Sequence, residues 1–147
     1  MKITIIATGK QRGYIGEDVV LEYTSRLAHY MPESWVYVSG SSVTEESRAM
    51  MKHISSQAYV VILDERGKDI SSQDLADLLT KRLNESVKEI HFIIGGAYGI
   101  GDEVRERANY IWSLSKLTFP HELVRGILAE ALYRACTINK GEGYHHA

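Results

Sequence analysis

Apolar positions along this chain follow two periods, short continuous runs rich in β-branched residues and longer stretches that step by three and four. Lys2 to Thr8 (KITIIAT), bounded by Gly9, predicts a buried strand, and Gly16 to His29 predicts a helix through Val19, Val20, Tyr23 and Leu27. Trp35 to Ser39 (WVYVS) predicts a second strand. A helix follows from Thr44 to about Ser55, with Glu45 and Glu46 in the first turn where the helix dipole favours carboxylates. Tyr59 to Asp64 (YVVILD) predicts a third strand that ends in a turn at Arg66-Gly67-Lys68. Ser71-Ser72 then caps a helix with Leu75, Leu78, Leu79 and Leu83 on one face.

Glu89 to Gly95 predicts a fourth strand, Asp102 to Asn109 a short helix, and Tyr110 to Ser115 a final strand. The last helix starts near His121, tolerates Pro120 in its first turn and aligns Val124, Ile127, Leu128, Ala131, Leu132 and Ala135 on one side. Its other side is expected to carry Arg125, Glu130 and Arg134, and Gly126 would allow close packing. Strands apolar on both faces, alternating with amphipathic helices, predict an α/β fold with a mainly parallel sheet flanked by helices. Residues 1–147 form a single domain on this reading, without linkers or repeats.

Composition narrows the function classes. A chain of 147 residues with 44% hydrophobic content can bury ~70% of its unfolded surface. The longest apolar run, Tyr59 to Leu63, is far short of a membrane span, and no signal peptide precedes it, so a soluble, cytoplasmic protein is expected. Cys136 is the only cysteine and reads as a small buried hydrophobe in a reducing compartment. A net charge of −2 argues against gripping naked nucleic acid through phosphates alone, so any such partner must be recognised with help from shape or another protein.

Three segments could carry chemistry. Gly95-Gly96-Ala97-Tyr98-Gly99-Ile100-Gly101 joins a strand to a helix at the carboxyl edge of a parallel sheet; it is either a plain tight turn or a ligand loop, and it fits no dinucleotide or P-loop fingerprint. Ser113 to Thr118 offers hydroxyls and unpaired amides before the last helix, and Thr118 alone could be an N-cap. The tail ends in Tyr144-His145-His146, which is either a frayed terminus or functional; adjacent histidines without Cys, Asp or Glu at ligand spacing make a poor metal site, and none is expected. Asp64 is a turn-capping or a catalytic carboxylate. Lys10, Arg12 and Tyr14 make a small basic, aromatic edge, and Gly-x-Ser-x-Gly is absent.

Taken together, these residues resemble the RlmH (YbeA-type) family of SPOUT methyltransferases over the whole chain. The motifs are Ile62-Leu63-Asp64 with Gly67-Lys68, Phe92 to Gly96 with Gly99, Leu114-Ser115-Lys116-Leu117-Thr118-Phe119-Pro120-His121, Leu132-Tyr133-Arg134-Ala135, and Tyr144-His145. Between Pro32 and Glu45 the chain is shorter than some members of that family.

The resemblance implies an α/β SPOUT domain whose C-terminal part is threaded into a deep trefoil knot, otherwise almost unknown in proteins. It implies S-adenosyl-L-methionine bound at Leu63, Gly96 and Ser115, Lys116, Leu117, Thr118, Phe119 and Pro120. It further implies a homodimer packed through the knot regions. The implied activity is methylation of N3 of a pseudouridine in 23S rRNA, on the assembled 70S ribosome. Tyr144, His145 and Arg134 are the candidates for holding the target base or moving its proton. Two other readings remain open from the sequence, a SPOUT enzyme acting on another RNA such as tRNA and a non-catalytic nucleotide-binding module on the ribosome.

Overall fold

The structure, a computed structural model, describes residues 1–146. The first strand, β1 (Lys2–Thr8), occupies the predicted residues. It is followed by α1 (Glu17–Leu27), β2 (Glu33–Val38), α2 (Val43–Met51) and β3 (Tyr59–Asp69). The second half comprises α3 (Ser72–Asn84), β4 (Glu89–Ile94), α4 (Asp102–Arg107), β5 (Tyr110–Ser113) and α5 (His121–Asn139). The five strands form one sheet in the order β2-β1-β4-β3-β5, and every pair is parallel.

Side chains alternate across the sheet, and both faces are covered. Ile3, Ile5, Ala7, Val61, Ile90 and Phe92 join α1, α3 and α5 in one core, where Leu27, Leu79, Leu128 and Leu132 are fully buried. Each such side chain contributes roughly 1.5–3 kcal/mol relative to exposure. Ile6, Val60, Ile62 and Ile93 face the other way, against Met50 of α2 and Val104 of α4. Cys136 lies in the first core as expected, and burial pushes its thiol up to about 11.

Three departures from the predicted elements shape the site. First, β3 runs through the expected Arg66-Gly67-Lys68 turn to Asp69: Leu63 and Lys68 both pair with Trp112, so residues 64–67 bulge out of the ladder. Gly67 permits this, because a Cβ there would lie 2.6 Å from the Ile111 carbonyl oxygen. Second, β5 stops at Ser113, whose hydroxyl donates to the Ser115 carbonyl (2.8 Å) while the Ser115 hydroxyl accepts from the Leu117 amide (3.0 Å). Serines that bond neighbouring backbone in this way turn the chain instead of extending the strand.

Third, Arg125 is not on an outer face of α5. It is fully buried, donating to the Thr8 carbonyl (2.9 Å) and the Lys10 carbonyl (2.6 Å), with its guanidinium 4.3 Å from the Tyr14 ring centroid and 5.1 Å from that of Tyr37. The 3.6-residue period reports where apolar stripes lie, and cannot see a cation whose hydrogen bonds and aromatic neighbours come from sequence-distant β1, the segment after it, and β2.

Candidate active site

At the carboxyl edge of the sheet, where ligands of open α/β folds bind, the β3 bulge and the loops after β4 and β5 enclose a cleft of about 460 Å³. Its walls are Leu63 to Arg66, Ile94 to Ile100, and Leu114, Ser115, Leu117, Thr118 and Phe119, with Arg105, His121 and Val124 completing it.

The glycine loop is tight and also forms a wall. Gly99 has φ 84° and donates to the Gly96 carbonyl (3.0 Å), while a Cβ on Gly95 would lie 2.8 Å from the Gly99 carbonyl oxygen. Ser47 of α2 accepts from the Gly101 amide (2.9 Å) and ties the loop to the second helix layer. On the opposite wall, Thr118 does not cap α5; its hydroxyl donates to Glu65 Oε2 (2.5 Å), joining the β5 loop to the β3 bulge, and Pro120 occupies the N-cap without a side-chain bond.

Asp64 caps its turn. It accepts from the Arg66 amide (2.8 Å), from the Arg66 guanidinium (3.1 Å) and from Arg105. Burial alone would raise its carboxyl, but the bonds from Arg66 and Arg105 hold it well below the usual carboxylate range. A carboxylate held so firmly as an anion is a poor proton acceptor at neutral pH, so it acts as a clamp between the bulge and α4.

Leu63, Gly96, Ser115, Leu117, Thr118 and Phe119 therefore converge on one cleft. Lys116 and Pro120 flank it without lining it: the Lys116 ammonium is exposed and 4.0 Å from Asp69. The sequence did not mark Arg66, Arg105 or Glu46 as site residues, and carried His121 only as the end of the Leu114 to His121 motif. Glu46 on α2 is 93% enclosed (7% exposed), and its Oε1 has no hydrogen-bond partner among the described residues. Burial raises its carboxyl, opposed by the nearby His121.

S-adenosylmethionine fits this cleft on two observations. Side chains at Gly95 and Gly96 would fill its wall, since a Cβ on Gly96 would lie 2.9 Å from Thr8 Cγ2. Two loops, Gly95 to Gly99 and Leu114 to Phe119, contribute to the lining, and a purine edge needs donors and acceptors of the kind that loop backbone supplies. Behind that wall, Thr8 Cγ2 and Glu46 Oε2 pack at the Gly96 position, and each residue keeps an enclosed oxygen, Thr8 Oγ1 and Glu46 Oε1, without a partner among the described residues.

The tail residues come together elsewhere. Glu130 of α5 accepts from Arg134 (2.6 Å) and from the Tyr144 hydroxyl (3.1 Å), which also lies 3.3 Å from the Tyr23 hydroxyl. Arg134 sits 4.7 Å from the Tyr144 ring centroid and donates to His145 Nδ1 (3.1 Å). Because arginine has no acceptor, Nδ1 supplies the lone pair and the neutral imidazole carries its proton on Nε2. Burial, followed by bonds with Tyr23 and Glu130, raises the Tyr144 phenol far above its ordinary value. Arg134, Tyr144 and His145 are thus one network, but none of them lines the cleft of the same chain. Between the two regions, Ile15, Val19, Leu123 and Ile127 of the α1–α5 face remain exposed.

Comparison with known proteins places this geometry. The family model described as "Predicted SPOUT methyltransferase" matches residues 1–145. A protein named ribosomal RNA large subunit methyltransferase H from Gloeobacter violaceus is 42% identical, with 99% of each chain covered. Its namesake from Geobacter metallireducens is 39% identical over the full length of both. Among solved structures, a probable methyltransferase from Bordetella pertussis superposes with TM-score 0.60 at 13% identity, covering 91% of this chain and 95% of that one, a likeness of fold alone. A shared family model along nearly the whole length and relatives at this identity leave one assignment: the chain belongs to the SPOUT methyltransferase family.

Proposed function

We propose that this enzyme transfers a methyl group from S-adenosyl-L-methionine to N3 of a pseudouridine in 23S rRNA, acting in the cytoplasm on the assembled 70S ribosome. The observation that carries the reading is the pairing of a glycine-walled cleft with a separate Arg134–Tyr144–His145 network. Relatives that match at 35–42% identity and carry the large-subunit rRNA name support the substrate class.

The cofactor supplies an electrophilic methyl on a sulfonium, so the protein's tasks are alignment of the acceptor and removal of the N3 proton. Leu63, Gly96 and the Ser115 to Pro120 loop hold the donor, with C-terminal threading into a trefoil knot fixing these loops against each other. The strand order supports such threading, because β4 lies between β1 and β3 although it follows both in sequence.

Two copies pack through the exposed Val19, Leu123 and Ile127 face, and each tail network closes over its neighbour's cleft. This arrangement answers the distance between tail and cleft within one chain. Arg134 binds a phosphate or polarises a base carbonyl, and Tyr144 stacks on the flipped base. His145 orients that base through Nε2–H while Arg134 occupies Nδ1, and serves as proton acceptor only when released from Arg134.

Transfer of labelled methyl to 70S ribosomes lacking the modification, with free 23S rRNA and tRNA alongside, tests the proposal. N3-methylpseudouridine identified by mass spectrometry, formed on 70S particles and not on the free RNAs, is the expected result. Turnover on tRNA with inert ribosomes would replace the substrate, and cofactor binding without turnover on any RNA would replace catalysis by a binding role.

A further inference from the structure

The connection between α1 and β2 carries a side chain that the tail leans on. After α1 the amides of Tyr30 and Met31 both donate to the Leu27 carbonyl (2.9 and 3.2 Å), and the Pro32 carbonyl accepts from the amide of Ile3 in β1 (2.9 Å), so this turn is tied at both ends. From it the Tyr30 ring reaches α5 and meets Tyr133 edge-on, with centroids 6.0 Å apart. Its hydroxyl donates to Glu142 Oε2 (2.7 Å), 112 positions later in the chain. The bond to that carboxylate pushes the Tyr30 phenol up to about 12.

Glu142 stands where the course of the tail is decided. α5 ends at Asn139, and Gly141, with φ 70°, reverses the chain: its amide donates to the Ile138 carbonyl (3.0 Å), and the Glu142 amide donates to the Thr137 carbonyl (2.9 Å). Two residues on, the Tyr144 ring centroid lies 4.7 Å from that of Tyr133, the same ring that Tyr30 meets. Chain ends fray unless they are tied down, because ordering them costs backbone entropy. Among the described residues, side-chain hydrogen bonds tie this tail at Glu142, Tyr144 and His145. On the function proposed above, the bonds of Tyr144 and His145 must yield when these groups engage the target base. The tie at Glu142 involves neither group and can persist while they work.

We infer that Tyr30 is a positioning residue for methyl transfer: by holding Glu142, it fixes the point from which Tyr144 and His145 reach the target base. This rests on the reading that the tail acts on that base. Tyr30 does not line the cleft, so its effect passes through the tail. A tail ordered in advance spares the ordering cost when the ribosome binds.

Tyr30→Phe keeps the ring and its contact with Tyr133 and removes only the hydroxyl. Trypsin cleavage after Lys140, followed by mass spectrometry as release of residues 141–147, reads how often the tail opens. Methyl transfer to 70S ribosomes lacking the modification and calorimetric titration with S-adenosylhomocysteine run beside it. In Tyr30→Phe, release should be about 3–10-fold faster and kcat/KM for ribosomes about 3–10-fold lower, the worth of one hydrogen bond to a charged acceptor at a part-exposed site. Affinity for S-adenosylhomocysteine should stay within about 2-fold of wild type, because the cleft is untouched. Glu142→Ala should match Tyr30→Phe, the double variant should be no worse than either, and Glu142→Gln, which keeps an acceptor oxygen, should recover most of the loss. Additive losses in the double variant overturn the inference. Faster release with unchanged turnover, slower turnover with unchanged release, or no change in either overturns it as well, and leaves Tyr30 to packing. Full turnover by a chain ending at Gly143 would instead overturn the reading of the tail, and the inference with it.

Discussion

The cleft and the tail network are built on opposite principles. The cleft is made of loops whose shape is set by backbone: glycines that admit no side chain, a β3 bulge, and turns closed by Ser115 and Thr118. The tail network is made of long side chains meeting around one carboxylate, Glu130, on the outer surface of α5. Backbone walls suit a ligand that is the same at every turnover. Adjustable, half-buried side chains suit a target that must be found within a large RNA particle and then gripped. The difference teaches that, on the function proposed above, donor and acceptor are handled by parts that share one helix, α5, and little else.

Several changes would break or sharpen that division. The largest effect is expected at the tail: removal of residues 144–147 should reduce methyl transfer to ribosomes by roughly 100-fold or more, the scale of lost positioning and proton handling, while S-adenosylhomocysteine binding changes less than about 2-fold. Rapid-quench transfer assays beside calorimetry check this, and a parallel loss of binding would merge the two regions into one site. Val19→Asp combined with Ile127→Asp should give a monomer in analytical ultracentrifugation with a comparable loss of turnover; a fully active monomer would return each tail to its own cleft.

Arg125→Met acts on what both regions share. Unpairing the Thr8 and Lys10 carbonyls should lower stability by about 2–4 kcal/mol in urea unfolding, and shift ligand binding and turnover together. Gly96→Ala should spare the tail and weaken cofactor binding by about 10-fold, because its Cβ meets Thr8.

The smallest effect is the acid response of the cleft clamp. The Asp64 carboxyl is lowered in the folded state, so its contribution is present above the unfolded pKa of about 3.9 and is lost as pH falls through the folded value. Asp64→Asn should therefore cost about 1–2 kcal/mol near neutral pH, and the gap to wild type should narrow below about pH 4 in pH-dependent unfolding.

The parallel sheet and the cleft loops were legible in the sequence because they depend on local signals, continuous β-branched runs such as KITIIAT and glycines after strands. Ser71 was legible as a cap because the capping box with Asp74 lies within four residues. What escaped depends on partners distant in sequence. The β3 bulge is fixed by the fit of Gly67 against Ile111, and Arg125 is buried against Tyr14, which follows β1, and Tyr37 of β2. Glu46 carried only the signature of a first-turn carboxylate, with nothing local to place it behind Gly96. The tail's polar types were visible as candidates, whereas its distance from the cleft is set by the packing of Tyr144 on Tyr133.

The strand order has a further consequence for how the chain is made. Every neighbour of β4 precedes it in the sequence, so the middle of the sheet remains a gap until Ile94 has been synthesised. At about 5–20 residues per second, that is roughly 1–5 s after β3 is complete. During this interval the apolar edges of β1 and β3, including fully buried Ile5 and Val61, have no strand between them. Non-local parallel pairing of this kind folds slowly and exposes adhesive edges, so the nascent protein is at its most aggregation-prone just before its central strand arrives.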